Sequence, residues 1–342
     1  MHRSRFSGTC VRVTSICALA VGFTSGFANA DMAPTTGVGV QVIVGATDVT
    51  TSQNQQFPPP NVNTPSSAFV SGDINGSDGS TAGASAAAFA DFGTLGVSAT
   101  GGGSTPPGNS RSVGSASTLA SAFWDDFLTA IPNPDSLLVP GAPVTATLTL
   151  DLHFDNSLLA INNANGGFAY DLFAGIVSID PVTGVQSSST LFDDCFVLGD
   201  SPFDFCDVGS TRIDMPGNTN GPLTLQLAPI TLPLAILQPF ELGVGLFVEG
   251  QCGAGPNDTA ISSCSFGADA LHTSTATLQP LGDFTLVAAS GHDYSLSVTP
   301  PSGSVPEPGS LALVVSALLP AALSLRRRQR ERAGHPPSRN AG

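Results

Sequence analysis

The sequence predicts an all-β protein, an antiparallel β-sandwich of jelly-roll-like form. Three observations predict it. Apolar residues alternate with polar ones at period two over long stretches, as in "PVTATLTLDLHFD" (143–155), which marks strands with one buried face. Strong helical periodicity is missing outside the two ends of the chain. The composition, 38 Gly and 27 Pro with only 11% charged residues, suits many short strands joined by turns. The stretch between the ends, about 275 residues, is long enough to bury a core.

Taken in order, residues 1–30 read as a cleavable secretory signal. Arg3, Arg5 and Arg12 precede an apolar stretch from about Val13 to Phe23, and Ala28-Asn29-Ala30 supplies an A-x-A site. Residues 31–110 are rich in Gly, Ser, Ala and Pro. Within them "VGVQVIVGA" (38–46) reads as a strand and "FPPPNVNTP" (57–65) as an extended loop. Phe89, Phe92, Leu95 and Val97 are spaced as two small-residue strands of the main sheet with a turn near Gly93. "DINGSDG" (73–79) resembles the start of a calcium loop through Asp73, Asn75 and Ser77. The spacing then fails, with Asp78 at position six and Ala84 at position twelve, so it reads as a turn.

Residues 111–303 form the predicted sandwich domain. "SVGSASTLASAFWDDF" (112–127) leads into the 143–155 strand. "GGFAYDLFAGIVSID" (166–180), "PFELGVGLFVEG" (239–250), "ADALHTSTATLQPL" (268–281) and "DYSLSVTP" (293–300) follow as strands. "GPLTLQLAPITLPL" (221–234) alternates until its Pro residues interrupt it, which predicts an edge strand.

Beyond the leader the chain keeps four cysteines, an even count in an exported chain, which predicts two disulfides. Of the three pairings, Cys195–Cys206 and Cys252–Cys264 each close a short loop full of turn residues. A zinc site would want a C-x-x-C pair, which is absent. "DDCFVLGDSPFDFCD" (193–207) places Asp193, Asp194, Asp200, Asp204 and Asp207 on or beside one such loop. Converging carboxylate oxygens suit Ca²⁺, and a solvated acidic loop is the plainer alternative.

Catalytic signatures are wanting. "SGHDYS" places Ser290, His292 and Asp293 close in sequence only, and a triad requires closeness in space. There is no G-x-S-x-G, H-E-x-x-H or strand-borne G-x-G-x-x-G motif. The expectation is a protein that is not an enzyme and holds no cofactor other than the candidate calcium.

The C-terminus carries an address. Gly309 to Leu325 is free of charge, and at about 1.5 Å per residue it reaches the short end of a membrane span. Arg326, Arg327, Arg328, Arg330 and Arg332 follow at once and hold that end in the cytoplasm. Val305-Pro306-Glu307-Pro308, the apolar run and the Arg cluster, in this order beside a signal peptide, resemble the PEP-CTERM sorting domain of Gram-negative bacteria over residues 304–332. The polar tail 333–342 departs from that pattern, which usually ends close to the Arg cluster. The resemblance implies recognition by an exosortase, a membrane-embedded cysteine transpeptidase. It also implies a transient membrane anchor through the C-terminal helix, followed by delivery to the cell surface or extracellular matrix.

Charge narrows the partners. With both ends removed, 24 acidic residues against two arginines leave the exported part near −22. Such a surface repels nucleic acid and anionic membranes. The expected function is a structural protein of the cell surface or biofilm matrix, with extracellular polysaccharide as a candidate partner. The alternatives are a carbohydrate-binding module on the same fold, which the presence of a single Trp disfavours, and a glycosidase-like enzyme needing two facing carboxylates.

Overall fold

The computed structural model describes residues 33–47, 49–108, 113–154, 156–179, 186–198, 211–214, 223–255 and 260–295. The predicted signal peptide, the predicted sorting motif, the apolar run and the Arg cluster lie outside them. Among the described residues there are seventeen strands and no helix, arranged as two antiparallel sheets packed face to face.

The first sheet holds β1 (Thr35–Ala46), β2 (Val49–Gln56), β3 (Asn61–Val62), β7 (Gly114–Pro132), β10 (Ala164–Ile179), β11 (Gln186–Leu198), β12 (Thr211–Asp214), β15 (Pro239–Ala254) and β17 (Phe284–Ala288). Their order is β12-β11-β10-β15-β7-β1-β2, with β17 beside β7 and β3 beside β1. Among the described strand pairs only the short β11–β12 pair is parallel, beside one isolated parallel bridge between Ala130 and Ile236. The second sheet holds β4 (Ser66–Asn75), β5 (Thr81–Asp91), β6 (Thr94–Thr105), β8 (Pro143–Phe154), β9 (Asn156–Asn162), β13 (Leu223–Gln226), β14 (Ile230–Ala235) and β16 (Ser262–Pro280). It runs β13-β8-β16-β6-β5-β4, with β14 beside β8 and β9 beside β16.

Period-two alternation builds the core as the sequence predicts. Ala146, Leu148, Leu150 and Leu152 of β8 turn inward, as do Val38, Val40, Val42 and Val44 of β1. β5 contributes a ladder of buried alanines, Ala82, Ala84, Ala86, Ala88 and Ala90. Small side chains on β5 let the sheets approach, and the larger ones of β1 and β7 fill the space. Residues 35–105 supply strands to both sheets, so the Gly/Ser/Ala-rich region is part of the same sandwich. "DINGSDG" is a turn, closed by Gly76 N–H on Ser80 O at 2.7 Å with Gly79 at φ +85°. The β5–β6 turn sits at Gly93, φ +76°. The interrupted edge strand is β13 and β14, both paired with β8 and separated by a stretch that ends at Pro229.

Two glycine relationships shape the sheets. β16 bulges between Ala270 and Ser274, and a Cβ on Gly96 opposite would come within 1.9 Å of the Leu271 carbonyl oxygen. On the outer face of the first sheet, aromatic rings lie across glycines of neighbouring strands. A Cβ on Gly37 would meet the Phe123 ring at 2.2 Å, and one on Gly245 the Phe173 ring at 2.1 Å. Phe173 in turn stacks on Phe247, centroids 5.5 Å apart.

One flank of the sandwich is sewn by side chains. β2 and β4 are edge strands of different sheets and run beside each other. Asn54 Nδ2 donates to Ser71 O at 2.7 Å, and Phe69 N–H donates to Gln56 Oε1 at 3.3 Å. These amides satisfy backbone groups that an edge strand leaves open.

The structure differs from the sequence reading in several places, among them the strands β2, β4 and β9, which that reading did not include, and the short β3 inside the loop read at 57–65. Residues 186–198 form β11, so Asp193, Asp194 and Cys195 stand on a strand and not on a loop. β17 was not predicted, because five residues carry too little periodicity. The strand predicted from 293 does not begin there, since Tyr294 and Ser295 form a turn and the rest lies outside the described residues.

Candidate functional site

"Trp124-Asp125-Asp126-Phe127" lies on β7 where its partner strand changes. β1 begins at Thr35 opposite Asp125, and β17 ends at Ala288 opposite Leu128. The gap between them exposes a stretch of β7 backbone, and Ala289 N–H reaches Phe127 O at 2.8 Å. Strand alternation turns Trp124 and Asp126 inward and Asp125 and Phe127 outward.

Asp126 is fully buried and still well satisfied. Its Oδ1 accepts from the backbone N–H of Phe127 (2.8 Å) and of Ser290 (3.2 Å). Its Oδ2 accepts from the Tyr294 hydroxyl at 2.9 Å and from the Ser290 hydroxyl. Burial and the charge of Asp126 hold the Tyr294 phenol above its ordinary pKa. The Tyr294 ring contacts Trp124 at 5.3 Å and His292 at 4.6 Å between centroids. Tyr294 O accepts from Leu278 N–H of β16 at 2.8 Å. Residues 289–294 therefore cross from the first sheet to the second, pinned midway by one carboxylate. Ser290, His292 and Asp293 form no nucleophile–base chain. The Ser290 hydroxyl goes to Asp126, His292 gives its backbone N–H to Ser290 Oγ at 3.1 Å, and Asp293 accepts from the Ser295 hydroxyl at 2.6 Å.

On the outer face Asp125 has Glu241 of β15 as its diagonal neighbour, because Asp125 pairs with Gly243 and Phe127 with Glu241. Diagonal residues on adjacent strands remain within side-chain reach. Asp125 Oδ2 accepts from the Thr35 hydroxyl at 3.3 Å, while its Oδ1 is shut off from solvent without a hydrogen-bond partner. Burial pushes Asp125 up to about 8. The negative charge of Glu241 adds to this, the Thr35 bond opposes it, and Asp126 adds a little more. Burial pushes Glu241 up to about 7. Chemically the pair can take up and release protons near neutrality, the property of an acid–base dyad. Asp125 Oδ1 is enclosed, and Glu241 is 8% exposed.

The remaining predicted residues are dispersed. Cys252 and Cys264 are bonded, with Cα atoms 5.8 Å apart. Cys252 stands on β15 and Cys264 on β16, so the bond fastens one sheet to the other besides closing a loop. Cys195 is buried and disulfide-bonded. Its predicted partner Cys206 lies outside the described residues, as do Asp200, Asp204 and Asp207. Asp193 and Asp194 are consecutive on β11, paired with Phe173 and Leu172, and so leave the sheet on opposite faces. Among the described residues no group of three or more His, Cys, Asp or Glu is placed to hold a metal ion. No described helix is long and apolar enough to cross a membrane.

Asp125, Asp126 and Glu241 escaped the sequence reading. The available cue was an acid inside an otherwise apolar strand, as in "AFWDDF" and "PFELGVGLF". No protein-family model, no curated protein and no solved structure matches this chain.

Proposed function

We propose that this chain is an exported structural protein of the cell surface or extracellular matrix. It leaves through its N-terminal signal and is sorted by an exosortase acting at Val305-Pro306-Glu307-Pro308. One observation carries the reading: the motif, a charge-free run and five clustered arginines follow one another beside a leader with an A-x-A site. The Cys252–Cys264 bond supports it, because structural disulfides persist in oxidising compartments. The body is read as jelly-roll-like from the way consecutive strands pass repeatedly between the two sheets. Trp124 is fully buried, which takes the single Trp away from sugar stacking and weighs against the carbohydrate-binding alternative.

Intact mass and fractionation of the native protein test the proposal. The mature form should start at Asp31, lack the peptide from about Gly309 onward and be found outside the cytoplasm. Native protein that keeps Arg326 to Gly342 at full mass, and whose location is unchanged by deleting 305–332, sinks the sorting reading.

The Asp125–Glu241 pair favours one second reading, a glycosidase-like activity with the raised carboxyl as general acid. Release of reducing sugar from neutral polysaccharide, lost in Glu241→Gln with the melting temperature retained, would support it. No release by the unaltered protein ends it.

A further inference from the structure

Six exposed apolar side chains gather at the end of the sandwich where β7 finishes and β8 starts: Ile131, Leu137, Val139, Leu237 and Leu281, with Val287 beside them on β17. The 133–142 loop is their centre. Leu137 is 97% exposed and Val139 63%, whereas Leu138 between them packs against the core. The loop is held in shape. Ser136 N–H donates to Asn133 O (2.9 Å), Ala142 N–H to Val139 O (3.0 Å) and Gly141 N–H to Ile236 O (2.8 Å). Asn133 Nδ2 ties it to Asp283 Oδ1 at 2.9 Å. Leu237 beside it is held at φ +58°, a conformation that suits Asn or Gly far better than leucine. An ordered loop that turns a leucine and a valine outward presents a contact surface, since scattered apolar residues need no such framework.

The last described residues stand on the β16 side of this end. Tyr294 O is bonded to Leu278 N–H, three residues from Leu281, and Ser295 follows. Nine residues then separate Ser295 from Val305, a reach of at most about 30 Å. We propose that this end is a foot that rests on the uncharged lipid interface while the C-terminal apolar run holds the precursor in the bilayer, with Leu137 and Val139 entering the headgroup–acyl boundary. The inference rests on the anchored precursor of the preceding section. A short tether supplies a high effective concentration of membrane, so a small apolar surface suffices. Asp135 and Asp283 stand at the same end. Anionic lipid therefore opposes the contact, and zwitterionic lipid is the fitting partner.

The test places a fluorescent residue at the foot of the full chain reconstituted in phosphatidylcholine vesicles. In Leu137→Trp the new indole should be quenched by brominated lipid several-fold more than in Pro107→Trp, at the exposed turn after β6 on the opposite end. Buried Trp124 is a common background to both. Adding Val139→Asp, or replacing half the lipid with phosphatidylglycerol, should remove most of the difference. Retention of the vesicle-bound chain through an alkaline wash reports the anchor independently. Retention with equal quenching at the two sites overturns the foot and leaves the anchor standing. Loss of retention overturns both. A blue shift at position 137 that follows protein density and ignores bromine assigns the surface to a second copy and likewise overturns the proposal.

Discussion

Asp125 and Glu241 make stability depend on pH in an unusual direction. Both carboxyls titrate higher in the folded chain than in the unfolded one, about 8 and about 7 against ordinary values of 3.8 and 4.5. Between about pH 4 and 8 the folded state therefore binds more protons than the unfolded state, and stability falls as pH rises through that window. Melting temperatures should be higher at pH 5 than at pH 9. Asp125→Asn should flatten the difference and raise the value at pH 9; an unchanged slope in that variant would show the pair is not its source. The neighbouring Asp126 satisfies four buried donors. Asp126→Ala leaves buried donors orphaned and should cost about 3 kcal/mol or more in urea unfolding. Tyr294→Phe removes one bond and should cost about 1 kcal/mol.

At the scale of elements, the glycines separate into those that a strand needs and those that it tolerates. Gly96 faces the backbone of the β16 bulge, so Gly96→Ala must move main chain. Gly253 has nothing within 4 Å of where a Cβ would stand. Denaturant unfolding should show Gly96→Ala destabilised by about 2 kcal/mol or more and Gly253→Ala within about 0.5 kcal/mol of the parent. Equal effects would contradict the close approach. This scale also explains what the sequence could and could not disclose. β8 was legible because its alternation is written in consecutive residues, and β13–β14 because proline marks an edge. β11 was hidden by its acids and its cysteine, which look like a loop when read locally. The pairing of Asp125 with Glu241 depends on β15 lying beside β7, more than a hundred residues apart. No local pattern specifies that neighbour, so the candidate site was invisible while most of its strands were not.

For the whole molecule, the charge distribution is what the proposed sorting scheme rests on. A body near −22 precedes a run with no charge and then five arginines. Transfer of each arginine across the bilayer centre costs about 2.5 to 3.5 kcal/mol on insertion scales, which is why the proposed sorting scheme gives the cluster the role of a stop. Replacing the five arginines by serine should abolish processing and release the full-length chain. Glu307→Ala should leave it membrane-bound and uncut; anchoring that persists without the arginines would refute their role as the stop. The amide seam from Asn54 and Gln56 onto β4 has a consequence at this scale as well. In the matrix role proposed above the chain would be crowded against its own kind, where an unguarded strand at its flank lets neighbours zip together into ribbons. Asn54 and Gln56 occupy two of those hydrogen-bonding sites from within, which makes this flank a poorer template than a bare edge. Assembly in the proposed matrix would then favour any other part of the surface over the β2–β4 flank.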